Sequence, residues 1–196
     1  MDFSKLDAVT FSWQKVLGGE GAHGVIILSP RAVARLESYV PPWPLPKIFR
    51  MTSGGKLNAG IFEGETINTP SMLCVEDYLV ALKWAKGLGG LKALRARADA
   101  NAAVLNGWIS GSPFAKNFSE RPETQSNTSV CFSLVGDETV PRKMAKLLEA
   151  EGVALDIGGY RDAPPGLRIW CGATVEISDL KALLPWLDWA YATATA

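Results

Sequence analysis

A lysine between a strand pattern and a glycine-rich stretch is the feature that most constrains this chain. Val9, Phe11 and Trp13 alternate with small or polar residues and lead directly to Lys15. Such alternation predicts a strand with one buried face. Four glycines lie between positions 18 and 24, and glycine lets backbone approach a ligand closely. We therefore expect Lys15 at a strand end, beside a loop that can contact a ligand.

Two roles for Lys15 follow from its position. Desolvation lowers the pKa of a lysine and makes its amine a nucleophile. Enzymes that use pyridoxal phosphate bond such an amine to the cofactor aldehyde. In the other role, the side chain extends along apolar surface and keeps its ammonium group in water. The pattern alone leaves both roles open.

Three separated blocks of the sequence resemble the phosphoserine aminotransferase family, pyridoxal-phosphate enzymes of aminotransferase fold type I and class V. The blocks are residues 12–21 (SWQKVLGGEG), 64–72 (GETINTPSM) and 160–172 (YRDAPPGLRIWCG). They cover nearly the whole chain but only the C-terminal half of the family's length. The resemblance implies an α/β fold, a partial fold-type-I aminotransferase with the end of the large-domain sheet and a small C-terminal α/β domain. We place the large-domain part at residues 1–107 and the small domain at 108–196.

The N-terminal pattern agrees with this fold. Gly24–Leu28 is an uninterrupted apolar run, which predicts a strand covered on both faces. Ser29 and Pro30 predict the start of a helix. Prolines and glycines then predict a long, ordered, irregular segment between Val40 and Ile67, typical of an intersubunit or active-site loop.

The remaining pattern predicts helices followed by a small α/β unit. One helix follows Pro70, with Thr69 as its N-cap, and glycines at 87–90 separate it from a second helix. The basic residues of the second helix predict a solvated face. Further elements are predicted as strands at 129–135, 153–157 and 167–171, and as helices at 139–150 and from Ser178 onward.

The resemblance implies roles for four residues at the cofactor. Lys15 is the lysine that bonds the cofactor and moves a proton, and Gln14 helps to hold the cofactor phosphate. Asn68 and Thr69 reach the phosphate from the neighbouring subunit, which implies a homodimer. Without the resemblance, Gln14 is a polar strand-end residue and Asn-Thr-Pro is a helix cap.

Two arginines are implied in substrate binding. Arg168 resembles the arginine that grips the substrate α-carboxylate, a task suited to a guanidinium fork. Arg161 resembles the arginine near the substrate phosphate. Tyr160 stands where many family members have histidine, so it can donate a hydrogen bond but cannot supply a cation. Alternatively, both arginines pair with surface acids such as Asp156 or Asp162.

Other polar residues near Lys15 receive no catalytic role. His23, the one histidine of the sequence, is interpreted as a loop or strand-edge residue, and Glu20 as a loop residue. A carboxylate must also pair with the pyridinium nitrogen, but Asp2 and Asp7 lie too close to Lys15 along the chain. We therefore expect the sequence to represent the C-terminal portion of an aminotransferase, or a truncated reading frame.

Composition excludes several other classes of protein. Twenty basic residues balance twenty acidic ones, so no surface for nucleic acid or anionic membrane is expected. No apolar run reaches membrane-spanning length and no signal peptide is recognisable, so we expect a cytoplasmic protein. Three widely spaced cysteines indicate buried apolar residues and neither a disulfide framework nor a metal site.

The resemblance thus predicts transamination between glutamate and 3-phosphohydroxypyruvate, giving phosphoserine for serine biosynthesis. Its ligands are small amino-acid and keto-acid substrates. Two alternatives stay open. The chain is another class V aminotransferase, of the type acting on alanine or serine and glyoxylate, or a noncatalytic fragment that retains packing or dimer surfaces.

Overall fold

The structure, a computed structural model, describes residues 1–21 and 23–196. Ala22, within the glycine-rich stretch, lies outside the described residues. The chain forms two compact units, Met1–Lys83 and Trp84–Ala196, here called unit 1 and unit 2. The boundary between the units thus lies at 83/84, N-terminal to the predicted domain boundary at 107/108. The helix Gly90–Gly111 belongs to unit 2 because it buries Ala98, Leu105 and Ile109 there.

A hairpin begins unit 1. Strand β1 (Ala8–Ser12) pairs with the antiparallel strand β2 (Gly24–Leu28), so that Ser12 lies opposite Gly24. Helix α1 (Pro30–Ser38) follows, and the Ser29 hydroxyl accepts a hydrogen bond of 3.0 Å from the Ala32 amide. The positions of the predicted strands and of the helix start are confirmed here, because the alternation and the Ser-Pro cap are strong local signals. The predicted buried face of β1 is wrong, since none of its residues is buried and Phe11 is 44% exposed.

The prediction that β2 is covered on both faces is wrong. Ile26 and Ile27 are 41% and 42% exposed. Within the described residues, β1 is the one strand that pairs with β2. A two-stranded hairpin lacks the neighbouring layers that bury a fully apolar strand.

The segment between Val40 and Ile67 contains only short elements, as predicted. A 3₁₀ turn covers Lys47–Phe49, strands β3 (Thr52–Ser53) and β4 (Lys56–Leu57) form a small hairpin, and a second 3₁₀ turn covers Ala59–Phe62. The Glu37 carboxylate accepts a hydrogen bond of 3.0 Å from the Leu57 amide. This bond ties the small hairpin to α1.

Helices α2 (Met72–Leu88) and α3 (Gly90–Gly111) are separated at the predicted glycines. Gly89 and Gly90 have φ angles of +112° and +70°, a conformation that other residues rarely adopt. The prediction of Thr69 as N-cap is wrong. The Ser71 hydroxyl accepts a hydrogen bond of 3.4 Å from the Cys74 amide, so the cap is the polar residue closest to the first helical turn.

Unit 2 packs a three-stranded antiparallel sheet against helices. The strands are β5 (Ala115–Asn117), β6 (Ser129–Leu134) and β7 (Leu167–Trp170), with β6 in the centre. Helices α4 (Val140–Ala150) and α5 (Ile177–Thr195) complete the unit. Its core contains fully buried side chains, among them Leu105, Phe132, Met144, Leu148 and Leu187. No helix within residues 1–21 and 23–196 combines the length and apolarity needed to cross a membrane.

Three details of unit 2 differ from the predictions. The predicted strand at 153–157 is wrong, because Asp156 has a φ angle of +53° that interrupts extended backbone, and only Gly158 forms a bridge to Leu167. Strand β5 was not predicted, since three residues are too few for a recognisable alternation. Helix α5 begins at Ile177 with Glu176 at the N-cap position, so Ser178 lies inside its first turn.

Candidate active site

Lys15 lies in the turn that follows β1. The Lys15 carbonyl accepts a hydrogen bond of 2.9 Å from the Gly18 amide, and the Trp13 carbonyl accepts one of 3.1 Å from the Gly19 amide. Gly18 has a φ angle of +66°, which favours glycine at this point of the turn. The Lys15 side chain is exposed. The tight turn therefore leaves the Lys15 side chain exposed and does not bury it in a strand.

Gln14, beside Lys15, is exposed and lies against the glycine-rich stretch. A Cβ atom added at Gly21 would overlap with Gln14 Oε1. The absence of a side chain at position 21 thus makes room for the Gln14 amide.

Asn68 and Thr69 are exposed in the irregular stretch before α2. The Asn68 carbonyl accepts a hydrogen bond of 2.5 Å from the Thr66 hydroxyl. Shortly after them, the Ser71 amide donates a hydrogen bond of 3.2 Å to His23 Nε2. Since His23 belongs to the loop that follows Lys15, this bond joins the two segments predicted to bind cofactor.

Two further contacts join the same segments. The Trp13 ring stacks on Tyr78 of α2, with centroids 4.2 Å apart and an interplanar angle of 5°. The Cys74 thiol donates a hydrogen bond of 3.2 Å to the Glu20 carboxylate. Trp13, Glu20 and His23 therefore form a set of contacts between the Lys15 loop and the beginning of α2. We call these three residues and their partners Ser71, Cys74 and Tyr78 the His23 clasp.

Arg168 lies on β7 in unit 2, and its side chain is 28% exposed. One guanidinium nitrogen, Nη2, is 3.3 Å from a carboxylate oxygen of the exposed Asp156. The guanidinium carbon is 4.6 Å from the centroid of the Tyr160 ring. Arg168 Nε is buried without a hydrogen-bond partner. The pairing of Arg168 with the surface residue Asp156, one of the two alternatives predicted from sequence, is thus formed. It occupies one edge of the guanidinium group.

Arg161 is exposed in the turn immediately after Tyr160. Because the Tyr160 ring contacts the Arg168 guanidinium, the turn that carries Arg161 lies beside β7. The structure thus brings the segments of both predicted substrate arginines together within unit 2. Sequence reasoning gave Tyr160 a hydrogen-bonding role and missed its contact with a cation.

Asp2 and Asp7 both have structural partners. The Asp2 carboxylate accepts a hydrogen bond from the Ser4 amide at the first 3₁₀ turn. The Asp7 carboxylate accepts hydrogen bonds of 2.7 Å from Arg31 Nε and 2.8 Å from the Ser29 hydroxyl. Arg31, and then Ser29, lower the pKa of Asp7 below its usual value. Both carboxylates are thus hydrogen-bonded within unit 1.

The polar groups of unit 1 fit part of pyridoxal phosphate. The exposed Lys15 amine suits an aldehyde, while the amides of Gln14 and Asn68 and the Thr69 hydroxyl are suitable donors to a phosphate. His23 was predicted to have no catalytic role, yet its hydrogen bond to Ser71 joins the Lys15 loop to the segment of Asn68 and Thr69. The only sequence feature that pointed to His23 was its position between the glycine-rich stretch and β2.

Comparison with known proteins gives a clear relative. No protein-family model matches the chain. A phosphoserine aminotransferase of Methanosarcina mazei is 60% identical to it over 189 residues, which are 96% of this chain and 51% of that protein. The chain therefore spans about half the length of this curated relative, in agreement with the predicted half-length match.

Solved structures show the same fold. A phosphoserine aminotransferase from Bacillus circulans subsp. alkalophilus aligns with a TM-score of 0.77 and 22% identity over 98% of this chain and 49% of that one. A PLP-bound phosphoserine aminotransferase from Trichomonas vaginalis aligns with a TM-score of 0.77 and 21% identity over 96% and 49% of the two chains. The predicted fold class is thereby confirmed. In sequence and in fold the chain is similar to phosphoserine aminotransferases, of which it spans about half the length.

Proposed function

We propose that this chain contributes to a pyridoxal-phosphate-dependent aminotransferase that exchanges an amino group between glutamate and 3-phosphohydroxypyruvate. The observation that carries the proposal is the 60% identity to a phosphoserine aminotransferase of Methanosarcina mazei over 96% of this chain. The His23–Ser71 hydrogen bond of 3.2 Å holds the Asn68–Thr69 segment, which the resemblance assigns to the neighbouring subunit's cofactor, against the loop that carries Lys15.

Unit 1 supplies the groups that act on the cofactor and the reacting carbon. Lys15 would hold the cofactor through its aldehyde group and, once the substrate amine has displaced it, its free Nζ would move a proton at the substrate α-carbon. Gln14 would hold the phosphate of the same chain's cofactor, and Asn68 and Thr69 that of the neighbouring subunit's cofactor. When bound, pyridoxal phosphate supplies the electron sink that stabilises negative charge at the α-carbon.

Unit 2 supplies the groups that bind substrate. Arg168 binds the substrate α-carboxylate through its guanidinium group, where the substrate replaces the exposed Asp156 carboxylate 3.3 Å from Nη2. The Tyr160 ring keeps the guanidinium plane in position for this exchange. Arg161, exposed in the adjacent turn, binds the substrate phosphate.

The proposal includes a homodimer in the cytoplasm. In the family resemblance, Asn68 and Thr69 serve the cofactor of the neighbouring subunit, so each site takes residues from two chains. In the family resemblance, a carboxylate upstream of the lysine pairs with the pyridinium nitrogen; the two acids that precede Lys15 here, Asp2 and Asp7, are hydrogen-bonded within unit 1.

The assignment of Lys15 is tested by covalent trapping. The purified chain is saturated with pyridoxal phosphate, reduced with borohydride, digested and mapped by mass spectrometry. We expect the pyridoxyl label on the peptide that contains Lys15 and none in a Lys15→Arg variant. Lys5, exposed in the same unit, provides the matched control through Lys5→Arg, which should label like the parent chain. A label at another lysine contradicts the assignment.

The assignment of Arg168 is tested by substrate affinity. Arg168→Lys keeps the charge but loses the planar fork, so we expect the dissociation constant for glutamate to rise about 10- to 100-fold. Isothermal titration calorimetry measures this change. Arg142→Lys, at an exposed position of α4, serves as control and should leave the affinity unaltered. Equal glutamate affinity in Arg168→Lys and the parent chain refutes the carboxylate role.

The alternatives differ in what they bind. A class V aminotransferase of the alanine or serine and glyoxylate type prefers keto acids without phosphate, and replacement of Arg161 then has no effect. A noncatalytic fragment acquires no cofactor absorbance band when pyridoxal phosphate is added. A stable band together with preference for the phosphorylated keto acid supports the proposed function over both.

A further inference from the structure

His23 is fixed from three sides. Its Nε2 accepts the hydrogen bond of 3.2 Å from the Ser71 amide. Its backbone carbonyl accepts one of 3.4 Å from the Ser12 hydroxyl at the end of β1. Its ring meets the Trp13 ring edge-on, with centroids 5.2 Å apart. The imidazole ring is therefore held by the Ser71 amide and the Trp13 ring, while the His23 backbone is tied to the end of β1.

The hydrogen bond from the Ser71 amide requires an acceptor atom in the side chain at position 23. An amide N–H needs an acceptor, and Nε2 of His23 provides it. The Ser71 hydroxyl is used at the same time to cap Cys74 of α2. Ser71 thus ties His23 both to the first turn of α2 and, through Pro70, to Asn68 and Thr69.

We infer that His23 is a positioning residue, which sets the place of the Asn68–Thr69 segment relative to the Lys15 loop. The inference rests on the proposed cofactor roles of these segments. Asn68 and Thr69 are exposed; the Asn68 carbonyl accepts from the Thr66 hydroxyl, and Ser71 is held by α2 on one side and by His23 on the other. Loss of the His23 acceptor removes the bond between this segment and the Lys15 loop, so the phosphate donors lose their fixed position relative to that loop.

The alkylation rate of the Cys74 thiol measures whether the His23 clasp is intact. Cys74 is 2% exposed, lies in the first turn of α2 and bonds to Glu20. Cys171 is a suitable internal reference, because burial in unit 2 raises the pKa of its thiol to about 11. Alkylation of each cysteine in the full chain is followed by mass spectrometry of the digested protein.

The experiment compares His23→Ala and His23→Gln with the parent chain. Glutamine retains an acceptor oxygen, whereas alanine removes it. We expect Cys74 to react about two- to tenfold faster in His23→Ala, as for one lost hydrogen bond, and near the parent rate in His23→Gln. Cys171 should react equally slowly in all three. Ser38→Ala, at the end of α1, is the control for an unrelated change in unit 1.

Cofactor affinity provides the second measurement. Equilibrium dialysis should show pyridoxal phosphate binding at least threefold weaker in His23→Ala than in His23→Gln. Equal Cys74 rates in His23→Ala and the parent chain overturn the inference, as does a His23→Gln chain that behaves like His23→Ala. Faster Cys74 alkylation without weaker binding also overturns it. A parent chain that binds no pyridoxal phosphate refutes the proposed function, while the Cys74 rates still decide whether His23 fixes the segment.

Discussion

Unit 1 and unit 2 bury their apolar side chains to very different extents. Among the described residues of unit 1, Cys74 is the one buried hydrophobic residue, while all other buried hydrophobic residues lie in unit 2. Unit 1 instead exposes a series of large apolar side chains: Phe11, Ile26, Ile27, Ile48, Phe49, Phe62, Ile67, Leu79 and Val80. Unit 2 has the core of an independent domain and unit 1 does not.

The difference separates two parts of the proposed function. The substrate arginines belong to the unit with its own core, whereas Lys15 and the phosphate donors belong to the unit without one. Exposed apolar surface of this extent marks contact with further polypeptide. We therefore expect unit 1 to be stabilised by contact with another chain, such as the second subunit of the proposed homodimer. We also expect each contact of the His23 clasp to contribute a larger share of the stability of unit 1 than a single contact contributes in unit 2.

The largest expected effect is on the free energy of unfolding, when a leucine is replaced by alanine in each unit. Leu105 on α3 is fully buried and Leu79 on α2 is 51% exposed. Leu105→Ala should lower the free energy of unfolding of unit 2 by about 2 to 5 kcal/mol, because it leaves a cavity. Leu79→Ala should cost less than about 1 kcal/mol. Urea unfolding followed by circular dichroism measures both, and equal losses would remove the distinction between the units.

Much of this architecture could be predicted from sequence where the signal is local. The alternation before Lys15, the Ser29-Pro30 helix start and the glycines at 87–90 gave elements close to those observed. Burial could not be predicted in the same way. The apolar run of β2 indicates the environment that the strand favours, yet Ile26 and Ile27 are exposed because burial depends on neighbouring layers.

The candidate site was predictable to the extent that its residues form contiguous blocks. Lys15 with Gln14, and Asn68 with Thr69, are recognisable as blocks, and each lies at the edge of a regular element. The connection between the blocks was not predictable, since His23 and Ser71 are 48 positions apart. The contact of the Tyr160 ring with the Arg168 guanidinium group was likewise not predictable from a sequence pattern.

A smaller effect is expected at the exposed ion pair of unit 1. The Asp7 pKa is lowered chiefly by Arg31, so the charged carboxylate favours the folded arrangement of β1 and α1. This contribution is present above the usual Asp pKa of about 3.9 and is lost as pH falls through the lower folded value. In an acid titration followed by NMR, the Arg31 Nε–H signal should shift in this range, and Asp7→Asn should abolish the shift. A signal that stays constant on acidification contradicts the pairing.

Hydrogen exchange of the isolated full chain tests the contrast between the units most directly. Pulse labelling with mass spectrometry compares peptides from the β1–β2 hairpin with peptides from α3 and β6. We predict that unit 2 peptides are protected at least about a hundredfold more than unit 1 peptides, because local opening of a unit without a core costs little free energy. Equal protection of the two sets would contradict the account, since unit 1 would then be stable without further polypeptide.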